Sequence, residues 1–378
     1  AAGGYDFYSD EESHPDAAGV PGPLDGEDEH GGPDRDTDPT DTGDRIPDVR
    51  PNSWHGVHVS GTVAADTGPP QSSGAGEASS SVAGIGWNTL QVLPVRALGA
   101  YASTSFEDVT AAIHYAAGIP AEEGGPVPEE AAQVINLSVG APQGFNPALY
   151  DAIQGAVDKG ITVVAAAGNG YEDPVLQPAS YDNTIAVSAT DRQNEFAFYS
   201  NKGGEVDFTA PGGGGLARAW DDGDGEIDAI LSTGYVVNPT GDSDYYGYLW
   251  LSGTSMSTPH VSGVVGLLYS YAPELTQDAV YAILANTARD LGDSGHDEEY
   301  GHGLIDAQAA LEYLINASRD YPVQPRSARA RDARAAEGGS RDTAGPRAVS
   351  GGDVGRRGIS AAAVHSLAAQ GRSMRRGT

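Results

Sequence analysis

Between residues 54 and 318 the chain alternates short, almost unbroken apolar runs with amphipathic stretches. Four runs, "LQVLPVRAL" (90–98), "QVINLSV" (133–139), "ITVVAAA" (161–167) and "TIAVSAT" (184–190), are rich in β-branched residues and carry little polar alternation. Strands buried on both faces of a parallel sheet have this pattern. Helical periodicity marks the segments between and after them: "FEDVTAAIHYAA", "PALYDAIQGAVDKG", "HVSGVVGLLYSYA" and "TQDAVYAILANTAR". Thr104, three residues ahead of Glu107, predicts a capping box for the first helix. Lys159-Gly160 predicts the end of the second, with a cation and a C-terminal glycine. Strand–helix alternation of this kind predicts an α/β layered domain with a mainly parallel central sheet and helices on both faces. In such folds sites gather in loops at the carboxyl ends of the strands.

The flanking zones lack this pattern. Residues 1–53 are acidic and Gly/Pro-rich and read as loop, while 319–378 is an Arg/Ala/Gly-rich tail read as disordered, with a short helix in "ISAAAVHSLAAQ". Charge is divided along the same lines. Eleven of the 21 Lys and Arg but only four of the 53 Asp and Glu lie in 324–378, within a chain of net charge −32. The acidic body would be repelled by nucleic acid and by anionic membranes. No apolar run reaches the roughly eighteen residues a membrane helix needs. Cysteine is absent, which excludes disulfides and a thiol nucleophile. The expectation is a secreted, monomeric protein; a body adapted to high salt and a genome preferring Arg and Asp account for the charge equally well.

Chemistry is densest in "LSGTSMSTPHVSGVVGLL" (251–268), where Ser255 opens a helix. A serine there sits in the positive end of the helix dipole with its own N–H facing outward, which suits a nucleophile that generates an oxyanion. Pro259 is read as a first-turn residue, where a missing N–H costs nothing. A Ser/Thr cap on a buried helix would have the same appearance, so the remaining pieces decide. "WHGVHVSGTVAA" begins a small-residue helix with His55. "VVAAAGN" puts Asn169 directly after a buried strand, and "INLSVGAP" ends a second strand at Ser138 to Gly140.

In the order His55, Asn169, Ser255, and in "HGVHVSGT" together with "GTSMSTPHVSG", the chain resembles the subtilisin-like serine proteases (subtilases) from about residue 54 to 313. "PASYDNTIAVSATD", "FYSNKGGEVDFTAPGG", "ILSTG" and "YGHGLIDAQAAL" add to the resemblance. It implies a three-layer subtilisin-like fold and hydrolysis of peptide or protein substrates without a cofactor. Ser255 would be the nucleophile, His55 the general base and Asn169 an oxyanion donor. Ser138, Val139 and Gly140 would bind the substrate backbone, and Ala166, Ala167 and Gly168 would wall the pocket for the residue before the cut. His58 would be structural. Val57, Ser60 and Ala141 depart from the commonest family residues, each by a small change.

The family's aspartate ends an apolar strand upstream of the histidine. Asp41, in "GGPDRDTDPTDTG", follows no apolar residue, and Asp6 follows only "AAGGY". The expectation is therefore that the catalytic Asp is absent from this chain, through N-terminal truncation or degeneracy, with Asp6 and Asp41 the weaker candidates. "DDGDGEID" (221–228) offers Asp222, Asp224, Glu226 and Asp228 as a structural calcium loop, against the plainer reading of a solvated acidic loop. Three functions compete: a serine endopeptidase, an inactive subtilase scaffold that binds peptides, and a calcium-dependent binding module.

Overall fold

The computed structural model describes residues 4–7, 54–66, 82–98, 104–121, 123–142, 144–171, 173–215, 227–236, 245–320 and 359–365. The four apolar runs form β2 (Leu90–Arg96), β3 (Val134–Ser138), β4 (Thr162–Ala166) and β5 (Ile185–Thr190). Their neighbours are β1 (Tyr5–Asp6) and β6 (Phe208–Pro211), and β7 (Ile230–Val236) pairs antiparallel with β8 (Tyr245–Leu251) as a separate hairpin. The helices are α1 (His55–Ala64), α2 (Phe106–Ala116), α3 (Pro147–Asp158), α4 (Thr254–Tyr271), α5 (Gln277–Thr287) and α6 (Ala307–Asp320).

The central sheet has seven parallel strands in the order β1-β2-β9-β3-β4-β5-β6, where β9 is Ile359–His365. Successive residues of its apolar strands serve opposite layers. Ile135, Leu137 and Val163 pack with Val109 and Ile113 of α2 and Ile153 of α3. Val134 and Val164 pack with Val261, Val265 and Leu268 of α4 and with Leu284 of α5. Continuous apolar strands are thus explained by two helical layers, one on each face. Among the described residues no helix is long and apolar enough to cross a membrane.

Several local expectations are corrected. The cap of α2 is Ser105, whose hydroxyl accepts from the Asp108 N–H at 3.0 Å; Thr104 instead donates to the Ala97 carbonyl at 2.6 Å. The end of α3 is as expected, with Gly160 at φ +82° and its N–H on the Val157 carbonyl. Pro259 is the sixth residue of α4, in its second turn rather than its first. Residues Tyr5–Asp6, read as loop, form the outer strand of the sheet. Residues 359–365, read as part of a disordered tail with a short helix, form a strand inside the sheet. Three consecutive alanines favour a helix on propensity alone; two neighbouring strand edges override that preference.

Candidate active site

Helix α4 begins at Gly253, whose φ of 153° and ψ of 164° lie in a region open essentially to glycine. Thr254 follows, and its N–H donates to Asn169 Oδ1 at 2.9 Å, with its hydroxyl on the same oxygen at 3.1 Å. The Gly168 N–H in turn donates to Thr254 Oγ1 at 3.2 Å. Two donors on Oδ1 fix the amide of Asn169, and its Nδ2 makes no hydrogen bond among the described residues. The end of β4 and the start of α4 are thereby locked together, with an N–H donor left over.

Ser255 is 7% exposed, and its hydroxyl donates to the Ser138 carbonyl at 3.5 Å. Ser138 is fully buried at the end of β3 and donates its own hydroxyl to the Ser255 carbonyl at 2.8 Å. In a regular helix that carbonyl would accept from residue 259, which is proline and has no N–H. Asn136 Nδ2 donates to Ser138 Oγ at 2.9 Å, and Ser262 Oγ donates to Asn136 Oδ1 at 2.9 Å. A buried polar chain therefore ties β3 to α4 at two points around Ser255.

His55 is the first residue of α1 and is buried. Val59, one turn on, packs against Met256, the neighbour of Ser255, so the two helix starts approach each other. The β7–β8 hairpin holds α1 in place. His58 Nε2 lies 3.0 Å from the Ile230 carbonyl and 3.1 Å from that of Leu249. Ser232 and Thr233 donate to the carbonyls of His58 and Val57, both at 2.7 Å. A Cβ at Gly61 would collide with Thr233 and Ser232, so glycine is what allows this approach. Burial lowers the His58 pKa to about 4, and its imidazole is neutral. His260 is likewise turned inward, with Nδ1 on the Met256 carbonyl at 2.8 Å and its pKa lowered by burial.

Val139 and Gly140 continue from β3, Ala166 ends β4 and Ala167 and Gly168 continue from it, so the two strand ends face one shared space. Leu176 occupies that space. A Cβ built on Gly140 would lie 3.0 Å from the Leu176 side chain, and one on Gly168 would lie 2.7 Å from it. The Leu176 N–H bonds the Ala167 carbonyl, and Gln177 bridges Ala141, so its position is fixed from both sides. Nothing in the residue pattern singled out Leu176; its place depends on the fold of 173–178.

A model of the subtilase family matches residues 11–303. The chain belongs to the subtilase family. It is 36% identical to an extracellular protease of Xanthomonas campestris over 324 residues, 83% of this chain and 48% of that one. It is 33% identical to subtilisin DY of Bacillus licheniformis, covering 68% of this chain and 77% of that protein. A halolysin-like extracellular serine protease, Nep of Natrialba magadii, is 35% identical over 72% of this chain and 41% of its own length. A solved protease of Pseudoalteromonas arctica superposes with a TM-score of 0.63 at 32% identity, covering 82% of this chain and 84% of that one. The chain spans about half the length of the Xanthomonas relative. The three-layer fold is thus that of a subtilase.

Of the two aspartate candidates in this subtilase, only Asp6 is described. Asp41 lies outside the described residues, and Asp6 is on the outer strand β1, with β2 and β9 between it and β3. At about 4.8 Å per strand that separates the Asp6 backbone from β3 by about 14 Å. The strand between β2 and β3 carries His365 in register with Ser138. Of the calcium candidates, Asp222, Asp224 and Glu226 lie outside the described residues. Asp228 is buried, and its Oδ1 accepts from the Arg192 N–H at 3.2 Å. Among the described residues no group of three His, Asp or Glu could hold a metal.

Proposed function

We propose that this subtilase is a secreted serine endopeptidase that acts as a monomer on peptide or protein substrates through an acyl-enzyme on Ser255. The observation that carries the reading is the locked start of α4. The Ser255 hydroxyl is turned toward the Ser138 carbonyl, while the Asn169 amide is fixed by Thr254 with its Nδ2 unengaged. Ser255 Oγ attacks the scissile carbonyl as His55 takes its proton. The oxyanion of the tetrahedral intermediate receives hydrogen bonds from Asn169 Nδ2 and from the Ser255 N–H, which has no partner inside its helix. Collapse breaks the C–N bond, and His55 returns the proton to the leaving amine. Water, deprotonated by His55, then releases the acyl group and regenerates Ser255. The names of two relatives, "extracellular protease" and "halolysin-like extracellular serine protease", support export and proteolysis.

Leu176 supplies a preference. Its side chain fills the space between Gly140 and Gly168, so a small residue fits before the cut and an aromatic one does not. A Ser255→Ala chain that still hydrolyses peptides would sink the assignment of the nucleophile.

A second reading rests on a separate observation. The strand in register with Ser138 ends in His365 rather than a carboxylate. That favours a peptide-binding scaffold of low turnover, since this strand ends in no carboxylate. Peptide binding with no detectable hydrolysis would favour this reading over the first.

A further inference from the structure

Asn201, in "FYSNKGG", is fully buried beside the loop that carries Asn169. Its N–H donates to the Gly168 carbonyl at 3.0 Å. Its Oδ1 accepts from the Gly170 N–H, and its Nδ2 donates to the Pro174 carbonyl at 2.8 Å. The Gly168 carbonyl and the Gly170 N–H belong to the two peptide groups on either side of the Asn169 Cα. One residue thus holds both of the peptide planes that set φ and ψ of Asn169.

The glycines flanking Asn169 make room for this grip. A Cβ on Gly168 would lie 2.6 Å from Asn201 Nδ2, and one on Gly170 would lie 2.9 Å from Asn201 Oδ1. Asn201 itself stands on a fixed base. The N–H groups of Tyr171 and Lys202 donate to the carbonyls of Tyr199 and Asp173, at 3.0 and 3.2 Å, so 199–202 runs along the loop. Ser200 Oγ donates to the Asn201 carbonyl at 3.1 Å and accepts from the Ala189 N–H of β5 at 3.2 Å. At the other end of the Asn169 side chain, Thr254 holds Oδ1. With its backbone fixed by Asn201 and its amide oxygen by Thr254, Asn169 has one direction left for Nδ2.

We propose that Asn201 is a positioning residue for the oxyanion hole, aiming Asn169 Nδ2 at the developing charge without touching the substrate. The inference rests on the reading of Asn169 as an oxyanion donor. Such a donor works because its geometry is set in advance, and a misplacement on the order of 1 Å can cost about 10²-fold in rate. Asn201→Ala keeps the backbone bond to Gly168 but frees the peptide group that follows Asn169. The ψ angle of Asn169 is then released, while 199–202 keeps its backbone bonds.

The test is a double-mutant cycle between Asn201→Ala and Asn169→Asp in the full chain. Its readouts are kcat and KM for a chromogenic alanyl peptide and the rate of fluorophosphonate labelling at Ser255, each per serine labelled at completion. Asn201→Ala should lower kcat and the labelling rate by about tenfold or more, with KM little changed. In the Asn169→Asp background the same change should cost less than about twofold, because the donor it aims is already gone. A merely structural role would lower both backgrounds alike. Equal losses in the two backgrounds, with Asn169→Asp itself impaired, overturn the proposal alone. An unimpaired Asn169→Asp, or a parent that neither hydrolyses nor labels, overturns the oxyanion reading and the proposal with it. If Asn201→Ala does not fold, Gly170→Ala takes its place, since its Cβ presses on Asn201 Oδ1, and the same coupling is expected.

Discussion

The Ser138 hydroxyl donates to the carbonyl of Ser255 at 2.8 Å, taking the place of the N–H that Pro259 lacks. One proline thus opens a helix carbonyl, and one strand-end serine closes it beside the proposed nucleophile. Ser138→Ala leaves that buried carbonyl unsatisfied and should cost about 1–3 kcal/mol in stability. In a Pro259→Ala background the new N–H can bond Ser255, so the same change should cost distinctly less. Urea unfolding of the four proteins measures the coupling; strictly additive losses would show that the two residues do not share this carbonyl.

Asn169 holds Thr254 through Oδ1 and offers Nδ2 to the reaction. Asn169→Asp keeps the acceptor and removes the donor. It should lower kcat by about 10²–10³ with little change in KM, as expected for a group acting on the developing oxyanion. Steady-state kinetics on one peptide substrate check this, and a change confined to KM would contradict the role.

Leu176 touches the space beside both Gly140 and Gly168. Leu176→Gly should raise kcat/KM for Phe relative to Ala before the cut by about tenfold or more, the scale on which apolar pocket volume discriminates. A matched pair of chromogenic peptides reads the ratio. An unaltered ratio would mean that Leu176 does not limit the pocket.

His58 anchors α1 as a neutral imidazole, its pKa lowered from 6.5 to about 4 by burial. Between these values the unfolded chain binds the proton that the folded chain refuses. Its contribution is fully present above pH 6.5 and is lost as pH falls toward 4, by on the order of 3 kcal/mol. Asp207, raised to about 6 by burial, acts oppositely, since its folded form keeps a proton that the unfolded chain gives up. The difference between variant and parent therefore isolates His58. His58→Gln, which can still donate to Ile230 and Leu249, should lose less melting temperature between pH 7 and 4.5 than the parent. Parallel losses would contradict the assignment.

The buried strands were legible because residues at successive positions serve two apolar layers, which leaves no polar alternation in "VINLS" or "TVVAA". The start of α4, His55 and Asn169 were legible from motifs whose spacing the fold respects. The cap of α2 was ambiguous, because Thr104 and Ser105 each precede an acidic residue by three. Residues 359–365 were not legible as strand, since "ISAAAVH" favours helix locally and pairs with partners more than 200 residues away in sequence. Leu176 gives no local signal at all; two distant glycines create its role.

The central claim is that Ser255 is a nucleophile activated by its setting. A fluorophosphonate probe, which needs attack but no substrate pocket, tests it most directly. Incubated with the intact chain and mapped by peptide mass spectrometry, the probe should sit on Ser255, with labelling absent in Ser255→Ala and slowed at least a hundredfold in His55→Ala. Labelling equal in parent and Ser255→Ala, or absent from the parent at long times, would contradict it.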